Sequence, residues 1–446
     1  MKKMPLLLLV VILLLAGCQQ DKSAQLTVAS NKDKVKLRVL HINQTMFNEM
    51  YGKEIMKAYP NYEIEVIPME SVFSQPDRSM KEIYEDVSNL IKQEKPDLII
   101  FPFEDVYQKL AAKGELVDLG SYVKTGALQT ENLHAPAIEK LTALNKASLN
   151  GIPARFDSKG LYYNKQLFDT YNLEYPTEQM SWEEVFALAN RFKGKEEGIY
   201  GYNPPLYGFL DLFDIIRTVG YGRGLSVLDA SETKVALNTD EWKSTTNLVL
   251  NGYKEGYLYL PEIPKDADSN GIVSLDPNTP NLFTEGKSAM TVDGIGLSEI
   301  MKLQHRNGGA AVEWGVVPEP GNGQSNMMLS DIFTIHVDSS LINESLEVLK
   351  YITSDKLSFN MDPEMVVSGI STNTKWIEKT YGEEFNGFFQ NKNIAPHRVS
   401  SAPEGFWLKF HRLASKEMLS VFTGGKPVND ALEQLQREGQ AVLEQE

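Results

Sequence analysis

The chain has 446 residues, 44 basic against 60 acidic, a net charge of −16, 42% apolar residues and a single cysteine. So acidic a chain makes nucleic acid an improbable partner, because polyphosphate is held by Lys and Arg clusters, and one cysteine leaves no intramolecular disulfide to supplement the core. One hydrophobic core does not serve a chain this long, so two domains are expected.

Lys2 and Lys3 precede an apolar run from Leu6 to Leu15, which closes on Ala16 and Gly17 before Cys18. As a helix that run reaches about half of a ~30 Å hydrocarbon core, so residues 1–17 read as a secretory signal peptide and not as a membrane span. The stretch "LLLAGC" resembles the bacterial lipobox, in which the cysteine is acylated and becomes the new N-terminus. Cys18 is therefore expected to be a lipid attachment site that ties the chain to the outer side of the cell membrane. The alternative is an ordinary secreted protein cut nearby. Residues 18–34 are polar and suit a flexible lipidated tether.

From Lys36 the pattern becomes regular. "KLRVLHI" (36–42) and "EIEVI" (63–67) alternate apolar and charged residues as strands do, and "DLIIF" (97–101) is a short, fully apolar run. Between them, Met46, Phe47, Met50 and Ile55, then Ile83, Val87, Leu90 and Ile91, recur at helical spacing. Strand and helix in alternation predict parallel βαβ units in an open α/β sheet. Ligands of such sheets sit beyond the carboxyl ends of the strands. That rule selects His41, Asn43, Gln44 and Thr45 after the first strand, and Pro102, Phe103, Glu104 and Asp105 after the third. For the two acids the competing expectations are a helix cap at Asp105 and a solvated Glu104.

A second unit begins with "SWEEVFALANRF" (181–192), where Ser181 and Glu184 predict a capping box and Trp182 is expected to pack. Strand-like runs follow at 312–318 and 331–337, then helical ones at 343–352 and 429–443.

The order of these signals resembles a family. "PDLIIFPFEDVYQKLAAKGELVDL" (96–119), "LNGIPARFDSKGLYYNKQLFDTYNLEYP" (149–176), "LFTEGKSAM" (282–290), "WGVVPEP" (314–320) and "VNDALEQLQREGQAVL" (428–443) are together similar to the extracellular solute-binding proteins, family 1, of bacterial sugar-type ABC importers. The resemblance implies a class II periplasmic-binding-protein-like fold: two α/β lobes, discontinuous in sequence, joined by hinge segments. It assigns 35–153 plus 319–352 to lobe 1 and 154–318 plus 353–446 to lobe 2, with the Gly151-Ile152-Pro153 turn ending the first lobe. It further implies a monomeric binding protein, not an enzyme, that captures a carbohydrate, an oligosaccharide by preference, in the interlobe cleft and delivers it to importer membrane subunits.

Ligand positions carried over by the resemblance are Glu104 and Asp105 after the third strand, Arg155 and Asp157 at the cleft mouth, Tyr207, Phe209 and Phe213 from the second lobe, and Trp407 on a late helix. Phe209, Phe213 and Trp407 serve equally well as core, and for the two Phe residues core is the first expectation. Flat rings beneath a sugar and acceptors at its edge are what such a ligand requires. One departure is that "SAMTVDG" (288–294) continues Ile295, Gly296, Leu297 where many sugar binders carry Trp. This leaves an acidic oligosaccharide, a cationic solute or peptide, and a longer polymer fragment open.

No cofactor and no catalytic metal are implied. "NLFTEGKSA" lacks the first glycine of a phosphate loop, with Asn281 in its place. Asp266, Asp268, Asn270 and Gly271 match the opening of a calcium loop, yet Pro277 stands where a bidentate Glu belongs, with Asp276 beside it; a structural Ca²⁺ is the minor alternative to a solvated acidic loop. A glycosidase-like surface lipoprotein and a ligand-presenting sensor subunit are the rival functions. No His-Glu-x-x-His or Gly-x-Ser-x-Gly motif supports the former.

Overall fold

The structure is a computed structural model that describes residues 34–445 except 75–79, 207, 264–271, 277–278, 322–323, 326, 358–368, 391–392, 395–401 and 404. Cys18, the signal and tether up to residue 33, Tyr207 and the Asp266–Gly271 stretch lie outside the described residues.

Two mixed sheets organise the chain. The larger has six strands in the order Ile370–Ser371, Ile152–Asp157, Met328–Ile335, Leu98–Phe101, Val35–His41 and Tyr62–Pro68. The first three strands in sequence pair in parallel, as the alternating pattern predicts, and Met328–Ile335 runs antiparallel between Leu98–Phe101 and Ile152–Asp157. Alternation in the first strand buries Leu37 and Val39, while Lys36 and Arg38 pair with Glu65 and Glu94 at the surface. Its core gathers Leu37, Ile99, Phe101, Phe156 and Phe333.

The smaller sheet has the order Trp314–Pro318, Lys159–Asn164, Ser288–Gly294 and Tyr200–Tyr202. Its core holds Trp182, Phe186, Tyr202, Trp242 and Phe410. Ser181 and Glu184 make the expected capping box, and Trp182 packs edge-on against Phe186 and Tyr202. The closing helix Val428–Glu444 lays Leu432 and Leu435 on the same core.

Three expectations are corrected. Gly151-Ile152-Pro153 does not end the first lobe; it opens a strand of the six-stranded sheet, and the changeover falls at Ser158, between Asp157 and Lys159. Pro153 reads as a breaker, yet it is the second residue of its strand and keeps a ladder position opposite Ile332. Nor does everything after 352 belong to the second lobe, because Ile370–Ser371 returns to the six-stranded sheet and Ile377 of the following helix joins its core. Finally, the helix expected over 46–55 is interrupted. Gln44–Phe47 and Lys53–Ala58 are α-helical, but Asn48–Gly52 between them is a π turn. Gly52 there packs so closely that a Cβ would stand 2.7 Å from Asn48 Oδ1 and 2.8 Å from the Phe47 ring.

Candidate functional site between the two sheets

Strand register locates the site. Ile332 lies opposite Phe101 and Met328 opposite Asp157, so the carboxyl ends of the first and third strands, the end of Ile152–Asp157 and the start of Met328–Ile335 share one edge of the larger sheet. In the smaller sheet Lys159 lies opposite Gly294, and Gly160 opposite Pro318. The chain passes from the first edge to the second through Ser158 alone and returns after Pro318. The two edges therefore form facing walls of a cleft.

On the first wall, Asn43 caps its helix by accepting from Met46 N–H at 2.9 Å, while Gln44 and Thr45 are exposed. Phe103 is 47% exposed and meets Phe73 edge-on, ring centres 5.9 Å apart. Phe73 ends the helix Glu70–Phe73 past the carboxyl end of the second strand, a loop that the strand-end rule covers and the sequence reading passed over. Asp105 is half-buried in the first turn of Glu104–Ala112, and the cap position is Phe103, without a side-chain bond.

Glu104 and Arg155 are corrected. The Glu104 side chain is 2% exposed: it pairs with Lys140 Nζ at 2.8 Å and accepts from Leu329 N–H at 3.1 Å. It is neither solvated nor offered to the cleft, because Lys140, also bonded to Met327 O, neutralises it inside the wall. The Arg155 side chain is 3% exposed and points to Asp331 Oδ2 at 3.4 Å and Gly369 O at 3.4 Å. Both residues hold the returning strand in place. Asp157, half-buried at the crossing, has its carboxyl raised above the ordinary range by burial, partly offset by the Ser158 amide.

The second wall is more apolar. A depression of about 600 Å³, counting the solvent at its mouth, is lined by Lys159, Pro205, Phe209, Asp214, Thr218 and Tyr253 among others. Lys159 is exposed and makes no ion pair among the described residues. Phe213 is buried core as expected, edge-on to Phe410, whereas the expectation of core is corrected for Phe209, which is exposed at this depression. Asp211, which also lines it, caps Leu212–Gly222 and receives Ser415 Oγ at 2.8 Å and His411 Nε2 at 2.6 Å. Trp407 sits one turn before His411 on the same helix stripe, half-buried against Phe406 and the second core. The sequence reading missed Lys159, Pro205 and Asp214. Applying the strand-end rule to Tyr200–Tyr202 as well would have selected the Pro204-Pro205 loop that follows it.

Among the described residues no group of three or more His, Cys, Asp or Glu is placed to hold a metal, and no helix is long and apolar enough to cross a membrane.

A family profile described as "Bacterial extracellular solute-binding protein" matches residues 44–357. The sn-glycerol-3-phosphate-binding periplasmic protein UgpB of Brucella abortus (strain 2308) is 22% identical over 226 residues, 49% of this chain and 47% of its own length. The chain thus spans about half the length of the curated relatives it matches. Among solved structures, the ABC substrate-binding protein Lmo0181 of Listeria monocytogenes in complex with cycloalternan superposes with a TM-score of 0.58 at 18% identity, covering 93% of this chain and 100% of that one. The sugar-binding protein MalE of Xanthomonas citri gives 0.63 at 15%, covering 92% and 98%, and a family 1 solute-binding protein of Alicyclobacillus acidocaldarius gives 0.66 at 14%, covering 93% and 100%. At these identities the likeness speaks for the two-lobed fold.

Proposed function

Since the chain belongs to the bacterial extracellular solute-binding proteins, we propose that it captures a carbohydrate, an oligosaccharide in preference to a single sugar, between its two walls and passes it to the membrane subunits of an ABC importer. It does so as a monomer, without chemical change to the ligand, and from the outer membrane face to which a lipid on Cys18 holds it. The observation that carries this reading is Phe103: a large ring left half in water at a strand's carboxyl end, backed by Phe73, on the same sheet edge as the crossing at Asp157. A flat apolar face beside acceptors suits the C–H face and hydroxyl rim of a sugar. The sugar ligands of the structural relatives, cycloalternan among them, lend further support.

The test is calorimetry and thermal shift of the mature chain with maltotriose, cycloalternan and sn-glycerol-3-phosphate. A saccharide at 100 times its Kd should add about 2.7 kcal/mol of stability. Binding of sn-glycerol-3-phosphate alone, or of none of the three, overturns the reading; recovery of a cleaved saccharide by mass analysis would replace it with an enzyme. For the anchor, Cys18→Ser should move the protein from the membrane fraction to the medium or leave it unprocessed, because the acyl chains contribute about 0.8 kcal/mol per buried CH₂. Unchanged fractionation refutes it.

A further inference from the structure

We propose that Asp331 is the residue that reads a ligand hydroxyl on the first wall, which makes the site selective for a neutral polyhydroxylated ligand over an anionic one. The inference rests on the carbohydrate reading and deepens it. Asp331 lies inside the strand Met328–Ile335, between Ser330, opposite Arg155, and Ile332, opposite both Pro153 and Phe101. It is thus at the cleft edge, level with the end of the third strand and one residue short of Phe103. Its backbone is left-handed, φ 49°, in the middle of a strand. For a residue with a side chain that conformation is unfavourable, and it persists only where the surroundings fix it, characteristically at ligand clamps.

The surroundings do fix it. Tyr51 Oη donates to Asp331 Oδ2 at 2.6 Å, and Arg155 Nη1 reaches the same oxygen at 3.4 Å. Tyr51 stands on the π turn Asn48–Gly52 that follows the Asn43 loop, and π turns inserted in helices recur at functional sites. Both donors converge on Oδ2. Oδ1 makes no hydrogen bond among the described residues, while 13% of the side chain remains exposed. A mostly buried carboxylate is therefore clamped by one oxygen and offers the other. Because Arg155 balances its charge, the offered atom is an acceptor in a locally neutral setting. A sugar hydroxyl can donate to it; a phosphate or carboxylate would meet acceptor against acceptor, as it would again at Asp157.

Asp331→Asn isolates the claim. Tyr51 and Arg155 are both donors, so the amide oxygen takes the Oδ2 place and the NH₂ group replaces the offered acceptor, with the clamp kept. Calorimetry with maltotriose should then show at least tenfold weaker binding than the wild type, and the ratio of maltotriose to sn-glycerol-3-phosphate affinity should fall by at least as much, which a merely structural role would not cause. Maltotriose binding within twofold of wild type in Asp331→Asn, while Phe103→Ala is weakened, overturns the Asp331 assignment and leaves the carbohydrate reading standing. A wild type that binds neither maltotriose nor cycloalternan overturns both; if only cycloalternan binds, it takes the place of maltotriose in these comparisons. Should Asp331→Asn fail to fold, Tyr51→Phe decides in its place: with one clamp gone, maltotriose affinity should drop at least threefold, and unchanged affinity overturns the assignment.

Discussion

The two walls of the cleft are built differently. The first rests on buried charge: Glu104 with Lys140, and Arg155 with Asp331 and Tyr51, each tying the returning strand to another element of the larger lobe. The second rests mainly on rings and aliphatic packing, Trp182, Tyr202, Trp242 and Phe410 among them, with one buried carboxylate, Asp211, held by Ser415 and His411 at its depression. A buried ion pair contributes little net stability but punishes any arrangement that leaves one member alone, so it specifies a single geometry. Apolar packing stabilises more evenly and tolerates adjustment. The first wall is thus a fixed template and the second an adaptable cover.

The strongest way to break this contrast is Lys140→Met. It strands Glu104 in a dry site and should cost about 3–5 kcal/mol in denaturant unfolding of the unliganded protein. The double change Glu104→Leu with Lys140→Met should cost less than the single one. A loss below about 1 kcal/mol for Lys140→Met would show that the first wall does not depend on its ion pair. On the second wall, Trp407→Ala removes a half-buried ring and should cost about 2 kcal/mol, roughly half of what a fully buried aromatic loses. A melt indistinguishable from wild type would place Trp407 outside the packing and strengthen its claim as a ligand contact.

Phe103→Ala sharpens the comparison from the ligand side. Folding should change by no more than about 0.5 kcal/mol, since the ring covers little core, while saccharide affinity should fall by about 1–2 kcal/mol. Loss of stability without loss of affinity would reverse the assignment. The smallest effect is expected at Asp157. Burial raises its carboxyl pKa, so the folded chain holds that proton more tightly than the unfolded chain. The stability from this group is full below the unfolded pKa of about 3.9 and is lost as pH rises through the raised folded value. Asp157→Asn should therefore melt slightly above wild type at pH 7, with the gap closing as pH is lowered toward 4. A gap that widens on acidification would mean that Asp157 is stabilised as the anion.

Periodicity was enough for the parallel strands of the first lobe, for the Ser181 capping box and for the closing helix, since each depends on residues a few positions apart. The strand-end rule marked Asn43, Gln44, Phe103 and Asp105 as lying just beyond strand ends, where the structure has them, because it needs only the order of elements. It could not tell Glu104 from Asp105. Adjacent residues on a helix point in different directions, and only the approach of Lys140, 36 positions away, sends one acid inward. Arg155, placed at the cleft mouth by the resemblance alone, is turned inward by Asp331 and Gly369, 176 and 214 positions away.

The amino-acid sequence by itself determined the α/β class, the alternation of strands and helices and the loops in which a ligand site must fall, because side-chain period and capping are local. Only the tertiary structure decided where the chain changes sheets, which of the marked charges are walled in, and that Asp331, a residue with no motif around it, stands at the sheet edge with one oxygen clamped by Tyr51 and Arg155. Those outcomes depend on contacts between residues tens to hundreds of positions apart, and their sign is set by how much water each packing arrangement leaves around a charge.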